Sequence, residues 1–292
     1  MNHQLTRLAP TPSGFLHLGN LYSFLLTQAL AEKTGAKILL RIDDLDRERY
    51  QAAYVQDIFD TLDFMEIRYD MGPKTLSEFE KEWSQIHRMD KYREALEILS
   101  AKGAVFACEC SRKKIQQYDS SGYYLGLCQT LRIPLDKENT SWRMDTFETD
   151  FIKMKSYPGE TKSYTMPHDT AFFVVRKRDG LPAYQLSSVV DDLHFGVDLI
   201  VRGKDLQSST LAQLMLSGSL EQPKFNESTF HHHPLLKGAK NKKLSKSAGD
   251  TSIQFLRKEG KKPADLYRIL GKMMGAKEQV SSYGEFKELL DI

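Results

Sequence analysis

The sequence predicts an α/β fold built on a Rossmann-like parallel sheet. Short apolar segments that we predict as strands, at residues 5–9 and 37–42, alternate with segments that carry apolar residues at helical spacing. A turn rich in proline and glycine joins the first strand to the first helix, and Gly35 is the candidate C-cap of that helix. Alternating strands and helices indicate βαβ units, whose strands pair in parallel.

The next elements are predicted from helix caps and apolar spacing. Asn20 is the predicted N-cap of the first helix, and apolar residues between 55 and 62 mark a second helix. Residues 83–99 predict a long helix that ends at Gly103, and residues 104–107 begin another strand. These predictions continue the alternation that favours a parallel sheet.

The pattern becomes irregular after Ala107 and regular again near residue 170, which predicts an insertion into the domain. Beyond it, Asp179-Gly180 is a strong turn signal between two segments that we predict as a hairpin, 172–177 and 182–185. A strand at 199–201 and a helix at 210–220 follow. The predicted domains are a catalytic domain at 1–107 and 170–247, an inserted subdomain at 108–169, and a short helical C-terminal segment at 248–292.

Composition excludes several classes of protein. The 292 residues are 40% hydrophobic and 27% charged, as in ordinary globular proteins, and the net charge is only +2. A balanced charge gives no strong overall attraction to nucleic acid, so any such contact depends on local patches. Three cysteines do not suggest a disulfide framework, and the N-terminus lacks the pattern of a signal peptide. We therefore expect a cytoplasmic protein.

The segment that organises the chain is RLAPTPSGFLHLGN, at residues 7–20. A helix N-terminus that follows a strand and a tight turn can bind a phosphate group through free backbone N–H groups. His17 adds a hydrogen-bonding ring, and KLSKS at residues 243–247 adds cationic side chains. Taken separately, a histidine is usually structural and a lysine-rich loop is usually solvated; their combination favours attack on a phosphate of ATP.

These two segments resemble the HIGH and KMSKS signatures of class I aminoacyl-tRNA synthetases, and the resemblance is to the glutamyl branch. By length, the chain is most similar to truncated members of that branch, which transfer glutamate to queuosine in the anticodon loop of tRNA(Asp). The resemblance implies a ligase that uses ATP and Mg²⁺, without an anticodon-binding domain. It implies catalytic roles for His17, Lys243 and Lys246, and ATP binding by His17, Gly19, Asn20 and Lys246.

The resemblance also implies an amino-acid site. Matching motifs assign it to Arg7, Ala9, Thr11, Asp43, Tyr184 and Arg202. Arginine suits a carboxylate because its planar fork binds both oxygens. The chain departs from the family at Asp43, where the family carries the glutamate that binds the substrate amino group. A side chain shorter by one methylene leaves the identity of the amino acid open.

The inserted subdomain contains a candidate metal site. Cys108 and Cys110 are two residues apart, Cys128 follows eighteen residues later, and closely spaced thiolates suit tetrahedral zinc. Three free cysteines in a small core are the alternative. In the truncated relatives a C-x-C and Y-x-x-x-C pattern binds zinc, which implies a structural zinc held by these cysteines and Tyr124. Histidines 231–233 should lie on a strand, where alternating directions prevent joint metal binding.

Three functional hypotheses follow. The first is activation of glutamate as glutamyl-adenylate and its transfer to queuosine of tRNA(Asp), by a monomer. The second keeps a class I ligase but changes the amino acid or the acceptor, and it depends on Asp43. The third is an inactive paralogue that only binds RNA, which the intact HLGN and KLSKS motifs disfavour.

Overall fold

The computed structural model describes residues 2–147, 151–236, 252–290 and 292. Contacts between Cα atoms divide the chain into two compact units, each assembled from separate segments of sequence. Unit 1 comprises Met1–His87, Leu199–Lys204 and His231–Ile292, and unit 2 comprises Arg88–Asp198 and Asp205–Phe230. The predicted insertion lies within unit 2. Its exact limits, like the other domain boundaries, remain a prediction.

Unit 1 contains the predicted βαβ arrangement. Strand β1 (Leu5–Leu8) lies between β2 (Lys37–Leu40) and β8 (Leu199–Gly203), and both neighbours run parallel to it. Helix α1 (Leu18–Thr34) connects β1 to β2. It ends at Gly35, whose φ of 75° is the left-handed conformation that glycine adopts without strain. The predicted strands, the parallel pairing and the C-cap are confirmed.

Helices complete unit 1. The C-terminal part of the chain is helical, as predicted, and the second predicted helix is confirmed as α2. The bounds are α2 Ala52–Phe64, α3 Leu76–Glu78, α9 Ile253–Lys258, α10 Pro263–Met273 and α11 Tyr283–Glu288. Their buried residues, such as Ile58, Leu266 and Phe286, form the apolar side of this unit.

The long helix predicted over residues 83–99 is wrong in its first part. A π-helical turn (Phe79–Trp83) and a 3₁₀ turn (Gln85–Arg88) precede α4 (Met89–Ala101), and extended Ser84 separates the two turns. Buried Asp44 causes the break: its carboxylate accepts hydrogen bonds from Ser84 Oγ at 2.6 Å and from the backbone N–H of Gln85 at 2.8 Å. A carboxylate that takes these donors favours a new helix start.

Unit 2 contains an antiparallel sheet of three strands. Strand β4 (Ser141–Met144) lies between β3 (Val105–Cys108) and β7 (Val174–Arg176). The strand predicted at 104–107 is therefore present, in an antiparallel sheet. A hairpin of β5 (Ile152–Ser156) and β6 (Glu160–Tyr164) also lies here, and β5 pairs in parallel with the first residues of β9 (Thr229–His233).

The predicted hairpin around Asp179-Gly180 is confirmed only at its turn. Arg176 and Pro182 form an isolated antiparallel bridge, and the backbone N–H of Lys177 donates to the Leu181 carbonyl at 2.8 Å. The second predicted strand is wrong because α6 (Tyr184–Phe195) begins there. Apolar residues at helical spacing, which this helix buries, outweigh the short segment after the turn.

The other helices of unit 2 include the predicted helix at 210–220. The bounds are α4 Met89–Ala101, α5 Arg112–Tyr118, α6 Tyr184–Phe195, α7 Gln207–Ser219 and α8 Pro223–Asn226. In the described part of the chain, no helix combines the length and apolar character that crossing a membrane requires.

A buried ion pair joins α4 and α6 within unit 2. The Arg88 guanidinium donates to both carboxylate oxygens of Asp191, at 2.7 and 3.0 Å, and the Tyr92 hydroxyl donates to the same carboxylate at 2.7 Å. All three side chains are buried. A buried pair becomes costly when one partner is removed, because the other charge loses its compensation.

We therefore predict that Asp191→Ala lowers the free energy of unfolding by about 3–5 kcal/mol. The matched control is Asp90→Ala, which removes an exposed ion pair between Asp90 and Arg93 within α4. This change should lower the free energy of unfolding by less than about 1 kcal/mol. Urea unfolding followed by circular dichroism measures both. Equal losses in the two variants would contradict the structural role of the buried pair.

Candidate active site and metal centre

His17 is the N-cap of α1. Its Nδ1 accepts hydrogen bonds from the backbone N–H groups of Gly19 at 3.0 Å and Asn20 at 3.3 Å. In return, Asn20 Oδ1 accepts from the backbone N–H of His17 at 3.1 Å. The prediction of Asn20 as the N-cap is wrong by three residues, because the imidazole nitrogen provides the cap. The result is a reciprocal capping box that uses an imidazole.

The chain before His17 is fixed by a buried carboxylate of α2. Asp57 Oδ2 accepts from the backbone N–H of Leu16 at 2.9 Å, and Asp57 Oδ1 accepts from Arg257 at 2.5 Å. The backbone N–H of Ile253 donates to the Leu16 carbonyl at 2.7 Å. Burial raises the pKa of Asp57, and the bonds from Leu16 and Arg257 oppose that rise. The backbone N–H and the carbonyl of Leu16, the residue before His17, are therefore both held by hydrogen bonds.

Two buried arginines lie at the carboxyl ends of parallel strands. Arg7 near the end of β1 is 5% exposed and Arg202 on β8 is 4% exposed. Arg7 Nη1 donates to the Val201 carbonyl at 3.1 Å, which places the Arg7 side chain beside β8. Ligands of open parallel sheets bind at this edge, and two guanidinium groups there suit an acidic ligand.

His232 of β9 adds an uncharged ring to this region. Burial lowers the pKa of His232 to about 3, with further lowering by the positive charges of Arg202 and Arg7 and by the neighbouring histidines. Burial likewise lowers the pKa of His231 to about 4. Both rings are therefore neutral at physiological pH and add no positive charge. The strand predicted for these histidines is confirmed.

Asp43, the departure from the family pattern, lies in a buried ion pair. The Arg41 guanidinium donates to Asp43 Oδ1 at 2.7 Å through Nε and to Asp43 Oδ2 at 3.0 Å through Nη2. The Asp43 backbone N–H donates to the Pro10 carbonyl at 2.9 Å, which places the loop after β2 beside the loop after β1. The latter loop also contains half-buried Ala9 and Thr11.

Three predicted active-site residues are not among the described residues of unit 1. Tyr184 is the first residue of α6 in unit 2 and is 42% exposed. Lys243 and Lys246 lie outside the described residues. Unit 1 contains the predicted residues of β1 and β8, of the loops after β1 and β2, and of the N-terminus of α1, namely Arg7, Ala9, Thr11, His17, Gly19, Asn20, Asp43 and Arg202.

The three cysteines form a cluster in unit 2. Their Sγ atoms lie within 4.8 Å of one another, and Cys110 Sγ is 3.5 Å from Cys128 Sγ. The Tyr124 hydroxyl accepts a hydrogen bond from the Cys128 backbone N–H at 2.8 Å. Zinc–sulfur bonds of about 2.3 Å place sulfurs about 3.8 Å apart in a tetrahedron, which fits this spacing. Among the described residues, this is the one such group of potential ligands.

The electrostatics of the cluster depend on its burial. Burial, with the neighbouring thiols, raises the pKa of Cys110 to about 12. Burial and the hydrogen bonds with Cys108 and Cys128 also raise the pKa of the Tyr124 hydroxyl. Burial opposes ionisation of Cys108 too, but its hydrogen bonds and nearby Arg143 prevail and lower its pKa. A bound cation would ionise such thiols, since thiolates are the metal-binding form.

Arg143 is a neighbour of the cluster that the sequence did not indicate. Its guanidinium carbon lies 3.8 Å from the centre of the Tyr124 ring, and its Nη1 donates to the Phe172 carbonyl at 2.8 Å. Arg41 and Asp57 were also missed. Each becomes relevant only through a partner distant in sequence or through burial, and no short motif carries that information.

Comparison with known proteins identifies the class to which this chain belongs. The structure superimposes on a glutamate-tRNA synthetase of Elizabethkingia anophelis with a TM-score of 0.75, at 21% identity, over 99% of this chain and 66% of that one. At this identity the match establishes the fold alone. Residues 4–289 match the family of tRNA synthetases class I (E and Q), catalytic domain. The chain belongs to this family and is a ligase of the aminoacyl-tRNA synthetase type.

Curated relatives refine the comparison. A glutamyl-Q tRNA(Asp) synthetase of Pseudomonas fluorescens is 35% identical, over 89% of this chain and 85% of its own length. One from Synechococcus is 33% identical, over 94% and 83%. A glutamate–tRNA ligase of Dehalococcoides mccartyi is 31% identical over 92% of this chain, which spans only 55% of that relative. Class I synthetases use ATP and Mg²⁺, and tRNA and glutamate are the expected substrates in this family.

Proposed function

We propose that this protein activates glutamate with ATP as glutamyl-adenylate and transfers the glutamyl group to queuosine in the anticodon loop of tRNA(Asp). The observation that carries the proposal is the pair of buried arginines, Arg7 and Arg202, beside the neutral ring of His232. Two fixed positive charges match the two carboxylates of glutamate. The names of the glutamyl-Q relatives, which are 33% and 35% identical to this chain, support the acceptor.

In the first step an oxygen of the substrate α-carboxylate attacks the α-phosphorus of ATP, and the bond to pyrophosphate breaks. Arg202 binds the side-chain carboxylate and Arg7 binds the reacting end of glutamate, with Ala9 and Thr11 completing this part of the amino-acid site. His17, Gly19 and Asn20 form the part of the site that receives ATP. His17 and the lysines Lys243 and Lys246 stabilise charge that develops on the phosphates, and bound Mg²⁺ supplies further neutralisation.

In the second step a hydroxyl of the modified base attacks the acyl carbon of the adenylate, and AMP leaves with the bonding electrons. The chain spans most of the glutamyl-Q relatives but about half of the Dehalococcoides glutamate–tRNA ligase. We further propose that the predicted insertion at 108–169 contacts the tRNA, and that the protein acts as a monomer in the cytoplasm, where tRNA is located.

The decisive test is amino-acid-dependent exchange of pyrophosphate into ATP, with and without queuosine-containing tRNA(Asp). We expect exchange with glutamate, loss of that exchange in Lys246→Ala, and labelling of the queuosine-containing tRNA with glutamate. Near-normal exchange in Lys246→Ala would contradict the assigned role of that lysine. Absence of exchange for every amino acid, even with the modified tRNA, would reject the proposed function.

One observation favours a second candidate, a class I ligase for a different amino acid. Both oxygens of Asp43 bind the Arg41 fork, so the carboxylate that should receive the substrate ammonium group is already compensated. Its side chain is also one methylene shorter than the glutamate of the family. A substrate whose ammonium group lies deeper, or is placed differently, would suit this arrangement better.

Asp43→Glu separates the two candidates. If glutamate is the natural substrate, the longer side chain disturbs the fork with Arg41, and we expect kcat/KM for glutamate-dependent exchange to fall by about ten-fold or more. The matched control is Asp46→Glu, which alters the exposed pair with Arg49 three residues away. A gain of ten-fold or more in Asp43→Glu would support the second candidate.

We also propose that Cys108, Cys110, Cys128 and Tyr124 hold a structural zinc ion. The spacing of the sulfurs and the position of the Tyr124 hydroxyl support four ligands around one ion, with no open position for substrate. Zinc would tie together β3, the residues after it and the 3₁₀ turn that begins at Gln129.

Tyr124→Phe tests this site, and Tyr123→Phe is its matched control because the neighbouring ring is exposed. We expect one zinc per wild-type chain and at least about a ten-fold loss of zinc affinity in Tyr124→Phe, since a ligand is removed. Competition with a chelator, followed by mass spectrometry of the intact protein, measures the affinity. Unchanged affinity in Tyr124→Phe would exclude the phenol oxygen as a ligand.

A further inference from the structure

We propose that His17 is held as the neutral tautomer with its proton on Nε2, and that Gly19 and Asn20 are positioning residues that act through His17. The part of this inference that concerns activity rests on the proposed function. The part that concerns the ring does not, because it follows from hydrogen bonds within the chain. It assigns Gly19 and Asn20 a role that differs from direct recognition of ATP.

The tautomer follows from the two donors at Nδ1. The backbone N–H groups of Gly19 and Asn20 both approach this nitrogen, at 3.0 and 3.3 Å. A ring nitrogen that accepts these bonds presents its lone pair and cannot carry a proton. The single proton of the neutral ring is then on Nε2. Nε2 is therefore the ring nitrogen that carries the N–H group, and the N-terminus of α1 supplies a field that favours an anion.

The absence of a side chain at Gly19 leaves room for the His17 ring. A Cβ atom at residue 19 would lie 2.9 Å from Cε1 and 3.0 Å from Nδ1 of His17, closer than nonbonded carbon atoms approach. Gly35 at the other end of α1 is different, because its φ is 75° and nothing lies within 4 Å of the corresponding Cβ position. A side chain at residue 19 therefore requires the imidazole to shift from its position at the cap.

The side chain of Asn20 fixes the backbone of His17. Asn20 Oδ1 accepts the backbone N–H of His17 at 3.1 Å, while the Asn20 backbone N–H is shared between the His17 carbonyl at 2.9 Å and the His17 ring at 3.3 Å. Backbone and ring of His17 are thus both tied to the first turn of α1. The side-chain oxygen is what the bond needs, so Asp can replace Asn here and Leu cannot.

The first arm of the test is nitrogen NMR on protein with ¹⁵N-labelled histidine. The signals of His17 are assigned as those that are absent from the spectrum of His17→Asn. We expect an unprotonated Nδ1 and a protonated Nε2 in wild type and in Asn20→Asp, and loss of this single-tautomer signature in Gly19→Ala and Asn20→Leu. A protonated Nδ1 in wild type overturns the inference, as does an unchanged spectrum in Gly19→Ala. This arm decides the inference even if the protein activates no amino acid.

The second arm is a double-mutant cycle on ATP–pyrophosphate exchange. We expect Gly19→Ala to lower kcat by about a hundred-fold, as displacement of a reacting group does, and to add less than about two-fold in the His17→Ala background. Gly218→Ala in α7, where nothing lies within 4 Å of the new Cβ, should keep full activity. Additive losses in the double variant would show that Gly19 acts independently of His17 and overturn its positioning role.

Discussion

The arrangement of this protein depends on the parallel pairing of β1 with both of its neighbours. Because β1, β2 and β8 run in one direction, their carboxyl ends meet at one edge of the sheet. Arg7, Asp43 and Arg202 come from three separate parts of the chain and reach that edge for this reason. The turn to His17 leaves from the same edge, so the N-terminus of α1 faces the region where the arginines are concentrated.

Buried carboxylates then fix the segments around this edge. Asp44 begins the turn before α4, Asp57 holds the residue before His17, and Asp43 is held by Arg41. In unit 2, Asp191 holds α6 to α4 in the same way. A buried charge is tolerated only with good partners, so each carboxylate specifies one arrangement of the groups around it.

The two candidate sites differ in the charge of the ligand that they favour. Around Arg7 and Arg202, the histidine rings are neutral and the fixed charges are positive, which suits an anionic ligand. Around Cys110 and Tyr124, burial keeps protons on groups that could otherwise ionise. Thiolates are the form that binds a metal, so a bound cation would favour loss of these protons.

The sequence by itself determined the local features. Strand and helix periodicity gave β1, α1 and β2, glycine gave the C-cap at Gly35, and cysteine spacing indicated the cluster that the structure brings within 4.8 Å. These follow from near neighbours along the chain. Tertiary structure alone decided that Asp44 interrupts the helix predicted at 83–99, because Asp44 and Ser84 are 40 residues apart in the chain. The local conformation decided that His17 rather than Asn20 caps α1 and that Arg41 pairs with Asp43. In each case the deciding factor was the geometry or burial of a hydrogen bond, which side-chain identity and spacing do not specify.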